Sequence, residues 1–294
     1  MMFPNDKVNL HSHTYYCRHG SGNVADHMVW AEKAGLRVLG FSEHVPLPGG
    51  LLPGTRMNVR LQPFFWREVE EAQARFPDIR ILRAYEGEYI PELRNYLREL
   101  KEEWRLDYMI LSNHFVWENG SPTEFPPTAD VSLLKKAARQ IIANLESGDG
   151  PFMAHPDLIF HHGCPWCAES KAVSRDIIEC ARACRIPLEI NAYGMRKVTL
   201  TDADGVHRIR YPMRQFWELA GEIGGVEVVC NSDSHVPGAI VKKIPECLAW
   251  AEEFGLTVVN GKLAEALLRK SGKALPGADD GTRCAAAGRT DAWR

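Results

Sequence analysis

Long apolar runs are missing from this 294-residue chain: none approaches the roughly 20 residues that a membrane-spanning helix needs. The opening residues, MMFPNDKVNL, lack the apolar core of an export signal and read instead as the approach to a strand. No sign of charge is in excess. Lys and Arg total 35 against 38 Asp and Glu, a net charge of −3, so no general attraction to a long nucleic acid or an anionic membrane is expected. No repeat of 20–50 residues is present, which argues against a solenoid. The eight cysteines (17, 164, 167, 180, 184, 230, 247 and 284) are scattered rather than spaced as a framework. Reduced thiols in a cytoplasmic protein are the expectation.

What is there is an ordinary globular balance, 45% apolar and 25% charged, enough for a sizeable core. The length allows one large α/β barrel or two smaller domains. Short apolar runs recur at 6–11, 37–42, 79–86, 107–112, 151–154, 187–191 and 226–231, with a further one at 256–259. Between them lie stretches of helical spacing: VADHMVWAEKAGL, FFWREVEEAQARF, ELRNYLRELKEEW, VSLLKKAARQIIANLE, SRDIIECARAC and PMRQFWELAGEIG. Continuous apolar strands alternating with helices predict an α/β fold with a parallel sheet, and seven or eight such units suggest a TIM-like barrel closed on itself; an open doubly wound sheet is the alternative. Residues 1–270 are expected to form this single barrel domain. Residues 271–294 read as a mobile tail, and 192–211 as a long loop with a small hairpin around Asp204-Gly205.

The strand ends carry the chemistry. The first run ends in His11 and His13, with His19 beyond it, and the second in His44. The third ends in Glu86 and Glu88, the fourth in His114 and the fifth in His155. The sixth ends in Glu189 and Asn191, and the seventh in Asp233 and His235. In a parallel α/β barrel these ends converge on one mouth. Seven of the eleven histidines fall there, which polar loop filler would not arrange. HSH and DSH place alternate side chains on one side of an extended chain, so each pair can reach one ion. The donor set exceeds what one tetrahedral zinc needs and implies two or three ions sharing a bridging carboxylate. Zinc, iron or manganese would each suit mixed imidazole and carboxylate ligands.

The ordered set HSHT, SEH, NH, AHPD and NSDSH resembles the PHP (polymerase and histidinol phosphatase) metalloesterase family. HSHTYYCRHGSG, EGEYIPE and EINAYGMRK with a later YP are similar to its histidinol-phosphate phosphatases. The resemblance implies a distorted seven-stranded barrel with three metals. His11 and His13 would bind the first ion with Glu86 and Asp233; Glu86 would bridge to a second held by His114 and His155; His19, His44 and His235 would hold the third. Glu88 competes for the bridge, but Glu86 stands three residues before the tyrosine of YIP, as the family's bridging residue usually does. Asn9 departs from the aspartate many members carry there, which touches support of the ligands rather than ligation.

The implied activity is hydrolysis of L-histidinol phosphate in histidine biosynthesis, with Glu86, Asp233 and His235 carrying catalysis on a water activated between the ions. Another small ester, such as a nucleotide or sugar phosphate, is the alternative. Clustered cations suit such a reaction because they neutralise a phosphate dianion that otherwise repels hydroxide. For the phosphate, a guanidinium fork is expected from Arg196, with Arg18 and Arg56 as weaker candidates. Cys164 and Cys167 form a CxxC without a second one, and read as incidental thiols. Cys17 reads as a thiol beside the site rather than a nucleophile, His161 and His162 as candidates for the pocket mouth, and His27 and His207 as structural or exposed. Tyr193 and Trp117 are candidate substrate contacts, and GGLLPG (49–54) a flexible loop over the site.

Overall fold

The computed structural model describes residues 3–125, 131–161, 166–197, 200–201, 207–208 and 211–273. Its strands are β1 (Val8–Asn9), β2 (Val38–His44), β3 (Arg80–Glu88), β4 (Tyr108–Ser112), β5 (Phe115–Glu118), β6 (Ser121–Glu124), β7 (Leu188–Asn191), β8 (Leu200–Thr201), β9 (His207–Arg208), β10 (Glu227–Asn231) and β11 (Thr257–Val258). The helices are α1 (Val24–Lys33), α2 (Gln62–Arg75), α3 (Arg94–Glu103), α4 (Val131–Ser147), α5 (Ala168–Cys184), α6 (Arg214–Ile223), α7 (Ile244–Glu253) and α8 (Asn260–Lys270). The expected β/α alternation is present. The runs at 244–253 and 260–270, unassigned from sequence, form two further helices.

The fold is α/β, built on a curled parallel sheet. One block runs β1-β2-β3-β4 and a second β11-β10-β7, all in parallel register. The run at 151–154 joins them through single bridges rather than a ladder: Met153 pairs with Leu111 on one side and Leu188 on the other. Two antiparallel hairpins stand outside it, β5-β6 and β8-β9. The second flanks the predicted turn at Asp204-Gly205, which itself lies outside the described residues, as does the tail from 274 onward.

Side-chain alternation explains how the sheet divides its two faces. Val38, Leu82, Ala84, Tyr108, Ile110, Phe152 and Val229 meet Val8 and Leu10 in one buried cluster, closed from below by Ala264, Leu267 and Leu268 of α8. The alternate residues Leu39, Phe41, Ile81 and Tyr85 pack outward under α1 and α2. Gly40 is required here: a Cβ would collide with the Tyr108 hydroxyl, which crosses the interior to donate to the Leu10 carbonyl at 2.5 Å. Each helix turns one apolar stripe to the sheet, as α4 does with Leu134, Ala137, Ala138, Ile141 and Leu145 at helical spacing.

Between β1 and β10 side-chain amides take the place of a ladder. Asn9 Nδ2 donates to Ser232 Oγ (2.7 Å) and the Ile240 carbonyl (3.0 Å), and its Oδ1 accepts from Ser232 N (3.0 Å). Leu10 N donates to Asn231 Oδ1 (2.9 Å). Asn260 accepts from Cys230 N at 2.8 Å and donates to the Cys230 carbonyl and to Asn231 Oδ1. All three asparagines are fully buried. Replacing Asn260 by Ala leaves several buried groups unpaired, each worth roughly 1–3 kcal/mol. We expect Asn260→Ala to lower unfolding stability by about 3 kcal/mol, read from the denaturant midpoint. A loss below about 0.5 kcal/mol would show the seam to be held by packing alone.

Candidate metal centre

Continue each inward-facing row of side chains upward and it changes from apolar to ionisable. On β2 the row runs Val38, Gly40, Ser42, His44; on β3, Leu82, Ala84, Glu86, Glu88; on β10, Val229 and Asn231, with Asp233 just beyond. The period of two therefore delivers His44, Glu86 and Asp233 to one end of the sheet. His155 and Asp233, at the ends of their runs, adopt positive φ (29° and 45°). Non-glycine residues held there cost of order 1–3 kcal/mol each and concentrate at functional sites.

Glu86 lies at the centre. Its Oε2 is 2.8 Å from His44 Nδ1 and 3.5 Å from the Nε2 atoms of both His11 and His13. Its Oε1 is 2.9 Å from His155 Nε2 and 3.4 Å from His114 Nε2. Asp233 Oδ1 is 3.2 Å from His13 Nε2, 3.6 Å from His11 Nε2 and 3.5 Å from His235 Nδ1. His19 stacks beside His44 and His235, ring centroids 5.2 and 4.6 Å away. The structure thus brings together all nine residues nominated from sequence.

Ligand atoms fall into overlapping groups within 4.8 Å: His11, His13 and Asp233; His11, Glu86 and His155; His44, Glu86 and His114; His13, His44 and His235; and Cys17, His19 and His235. His114 falls in a group with His44, and its Nε2 also shares Glu86 Oε1 with His155 Nε2, the partner that the resemblance implied. Glu88, the competing bridge, is committed elsewhere. It accepts from His114 N (2.7 Å), lies 2.8 Å from His114 Nδ1 and pairs with Arg56 Nη2 at 2.7 Å.

Burial would raise the Glu86 carboxyl pKa, but His114, His44 and His11 outweigh it and hold Glu86 ionised, well below the usual range. Asp233 is held down likewise, burial being overcome chiefly by His11 and His13. Burial lowers His44, His235 and His19, leaving them neutral with lone pairs available. For His13 burial is outweighed by Asp233 and Glu43, and the pKa rises to about 9. His11 is raised despite burial by Glu189, Asp233 and Glu86, and His155 despite burial by Glu86. Several buried atoms of the cluster have no hydrogen-bond partner: His44 Nδ1, Glu86 Oε2, Asp233 Oδ1 and His235 Nε2. Buried polar atoms left so are costly, and a cation among them satisfies the whole set. The residues fit a multi-ion centre.

Two supporting carboxylates carry no assignment from sequence. Glu189, noted only as a strand end, holds His11 Nδ1 at 2.9 Å and fixes its ring. Glu43 accepts from the backbone and hydroxyl of Thr14 and lies 3.8 Å from His13 Nδ1. Its signal was its place before His44 in SEH.

Beside the cluster opens a cavity of about 320 Å³. Of the three nominated arginines only Arg56 lines it, and among the described residues Lys197 is its other cation. Arg196 is not among the lining residues: its guanidinium donates to the carbonyls of Ser232 (3.0 Å), Asp233 (3.2 Å) and Lys242 (3.3 Å). Nor is Arg18: it is exposed, donates to the Pro53 carbonyl, and lines a separate hollow with Tyr15 and Asn58. Tyr193 lines the cavity, its ring 4.9 Å from His235; Trp117 does not, and packs at the core's edge. Cys17 is buried, its thiol pushed up to about 12 by burial, and so is no nucleophile at neutral pH. His27 is buried and hydrogen-bonded near Ser21, a structural residue. His161 lines the cavity; His162, Cys164 and the His207 side chain lie outside the described residues. The hairpin β5-β6, which supplies Phe115 and Glu124 to the cavity, was missed despite its Asn119-Gly120 turn, the strongest short hairpin signal.

Among the described residues no helix is long and apolar enough to cross a membrane. The PHP domain family model matches residues 9–193. A "Probable histidinol-phosphatase" of Deinococcus radiodurans is 26% identical over 256 residues, 83% of this chain and 92% of that protein. The solved histidinol phosphate phosphatase of Lactococcus lactis, complexed with zinc, L-histidinol and phosphate, has a TM-score of 0.66 at 17% identity, covering 86% of this chain and 95% of that one. At that identity the likeness establishes a shared fold.

His11, His13 and His155 all have raised pKa values without metal, so binding an ion must displace protons. Apparent zinc affinity should therefore rise with pH up to about 9, where His13 loses its proton unaided. Titration calorimetry at pH 7 in buffers of different ionisation enthalpy should show at least one proton released on loading. Zero release would contradict these charge states.

Proposed function

This chain belongs to the PHP domain family, and from that premise we propose that it is a metal-dependent phosphomonoesterase acting on L-histidinol phosphate. One observation carries the reading: a buried carboxylate, Glu86, within 3.5 Å of nitrogens from five imidazoles, next to a cavity of small-molecule size. We read the point bridges at Met153 and at Ser12–Ser234 as closure of a distorted seven-unit barrel, one domain over residues 1–270.

His11, His13, His19, His44, Glu86, His114, His155, Asp233 and His235 hold two or three ions, zinc, iron or manganese. Such ions supply Lewis acidity, neutralising phosphoryl charge and bringing the pKa of water toward neutrality. Glu189, Glu43 and Glu88 orient the imidazoles of His11, His13 and His114. Asp233 lines the cavity, stays ionised, and offers Oδ1 to the proton of the attacking water. His235, neutral on the same wall, donates Nδ1–H to the Asp233 carbonyl and keeps a bare Nε2 for an ion, so the proton that Asp233 takes from water is the one available to the leaving oxygen. Arg56 and Lys197 meet the phosphate oxygens. Arg56 is pre-oriented by Glu88. Lys197 stands over the rings of Tyr193 (4.7 Å) and Tyr211 (5.1 Å).

His13→Ala and Asp233→Ala should each cut phosphate release from L-histidinol phosphate more than about a hundredfold with unchanged circular dichroism, since each removes a ligand from a cluster acting as a unit. Near-normal turnover in either would defeat the assignment. A wild-type protein that instead prefers a nucleotide or sugar phosphate in a substrate panel would move the reading to that ester. Lys197→Ala should raise KM about tenfold with a smaller fall in kcat, the pattern of lost ground-state binding. Arg196→Ala should leave KM nearly unchanged and lower kcat, because its guanidinium holds the Asp233 turn. The opposite split in steady-state kinetics would restore Arg196 as the phosphate contact.

A further inference from the structure

We infer that Glu124 reads a substrate ammonium group, so that this cavity selects small phosphate esters bearing an amine. The inference rests on the phosphomonoesterase reading above and adds a residue to it.

The cavity's charges are unevenly placed. Metal-centre residues form its floor, and the cations Arg56 and Lys197 also line it. Apart from Asp233, Glu124 is the one carboxylate among its described lining residues. Arg56 is matched by Glu88 at 2.7 Å, whereas the Glu124 carboxylate, on an exposed residue at the cavity's rim, makes no hydrogen bond or ion pair with any described residue. A carboxylate facing a ligand-sized cavity without a partner is free to take one from the ligand.

Its position is fixed by the hairpin. Phe115 pairs with Glu124 across β5-β6, and directly opposite residues present their side chains on one face. The next pair, Val116 and Thr123, turns Val116 into the core and so anchors the ladder. Phe115 follows His114 directly, so the arm carrying Glu124 starts at the metal centre itself. The wall beside it is aromatic, Phe115 and Phe125, whereas the rings of Tyr193 and Tyr211 already lie against Lys197 on the phosphate side. Aromatic faces attract an ammonium ion and stack with a flat ring, while offering nothing to a second phosphate. A molecule with a phosphate at one end and an ammonium at the other matches this division of charge, and L-histidinol phosphate is one such molecule.

The experiment compares L-histidinol phosphate with p-nitrophenyl phosphate, which has no amine, on metal-loaded wild type, Glu124→Gln and Glu124→Asp. A charged hydrogen bond is worth about 1.5–3 kcal/mol, so Glu124→Gln should lower kcat/KM for the amine ester roughly 10- to 100-fold, mostly through KM. Its kcat/KM for p-nitrophenyl phosphate and its metal content should stay within about twofold of wild type, and Glu124→Asp should recover part of the preference. Equal losses on both esters, or none on either, would overturn the role of Glu124 while leaving the phosphatase reading intact. Wild-type protein that hydrolyses neither ester would overturn the reaction, and the inference with it.

Discussion

A carboxylate surrounded by five imidazoles in the dry interior of a sheet is the constraint on which the upper half of this molecule depends. Removing an ion such as Glu86 from water costs several kcal/mol even after relaxation, and removing Asp233 beside it costs again. Protonated imidazoles return part of that cost, which is why His11, His13 and His155 are driven to hold protons without metal. They cannot satisfy the whole set. His44 and His235 remain neutral, and buried lone pairs around them have no donor. An arrangement of this kind is poor as a stability device. It makes sense as a receptacle for cations, whose charge replaces the missing protons.

The fold accommodates this end of the sheet by giving up regularity there. β1 is two residues long, the 151–154 run pairs through one residue, and the β1/β10 seam is stitched by asparagine side chains. A continuous ladder would impose strict alternation and turn every second residue outward. Alternation already turns His11 and His13 to one side, and where the ladder stops Asn9 keeps the backbone paired. Asn9 also explains its own departure from aspartate. It donates to the Ile240 carbonyl as well as meeting Ser232 Oγ and N, and a carboxylate could not make that donation.

Much of this was legible from sequence because it follows from two periodicities. Apolar runs of four to eight residues alternating with helical stripes specify a parallel sheet, and the donors clustered after each run specify where they meet. The Asn119-Gly120 hairpin was equally legible and was passed over because its strands, FVWE and SPTE, lack a clean apolar alternation. The direction of Arg196 was not legible. GMRK places it one turn beyond a strand end, but whether its guanidinium points at the cavity or at a neighbouring loop depends on Ser232 and Lys242, remote in sequence. Glu189 and Glu43 stand in between. Their positions were visible, but a supporting carboxylate looks like any other until the histidine it faces is known.

Arg196 shows how a residue outside the cavity can still govern it. Asp233 holds a positive φ, a conformation with a standing energetic cost for any residue but glycine. Asp233's own carbonyl and that of Ser232 before it accept from one guanidinium, which also reaches Lys242. The ring of Tyr193 lies 5.0 Å from that guanidinium and 4.9 Å from His235. The strained turn is therefore clamped from behind by a planar cation with several donors, and Lys in its place would satisfy fewer carbonyls with less fixed geometry. On the other side of the turn, Asn191 Nδ2 donates to Asp233 Oδ2 at 3.0 Å, leaving Oδ1 directed at the imidazoles. Strain at Asp233, a clamp on its backbone and a tether on one oxygen together define a single orientation for the other. That orientation is what a carboxylate needs in order to hold a cation and meet a water beside it.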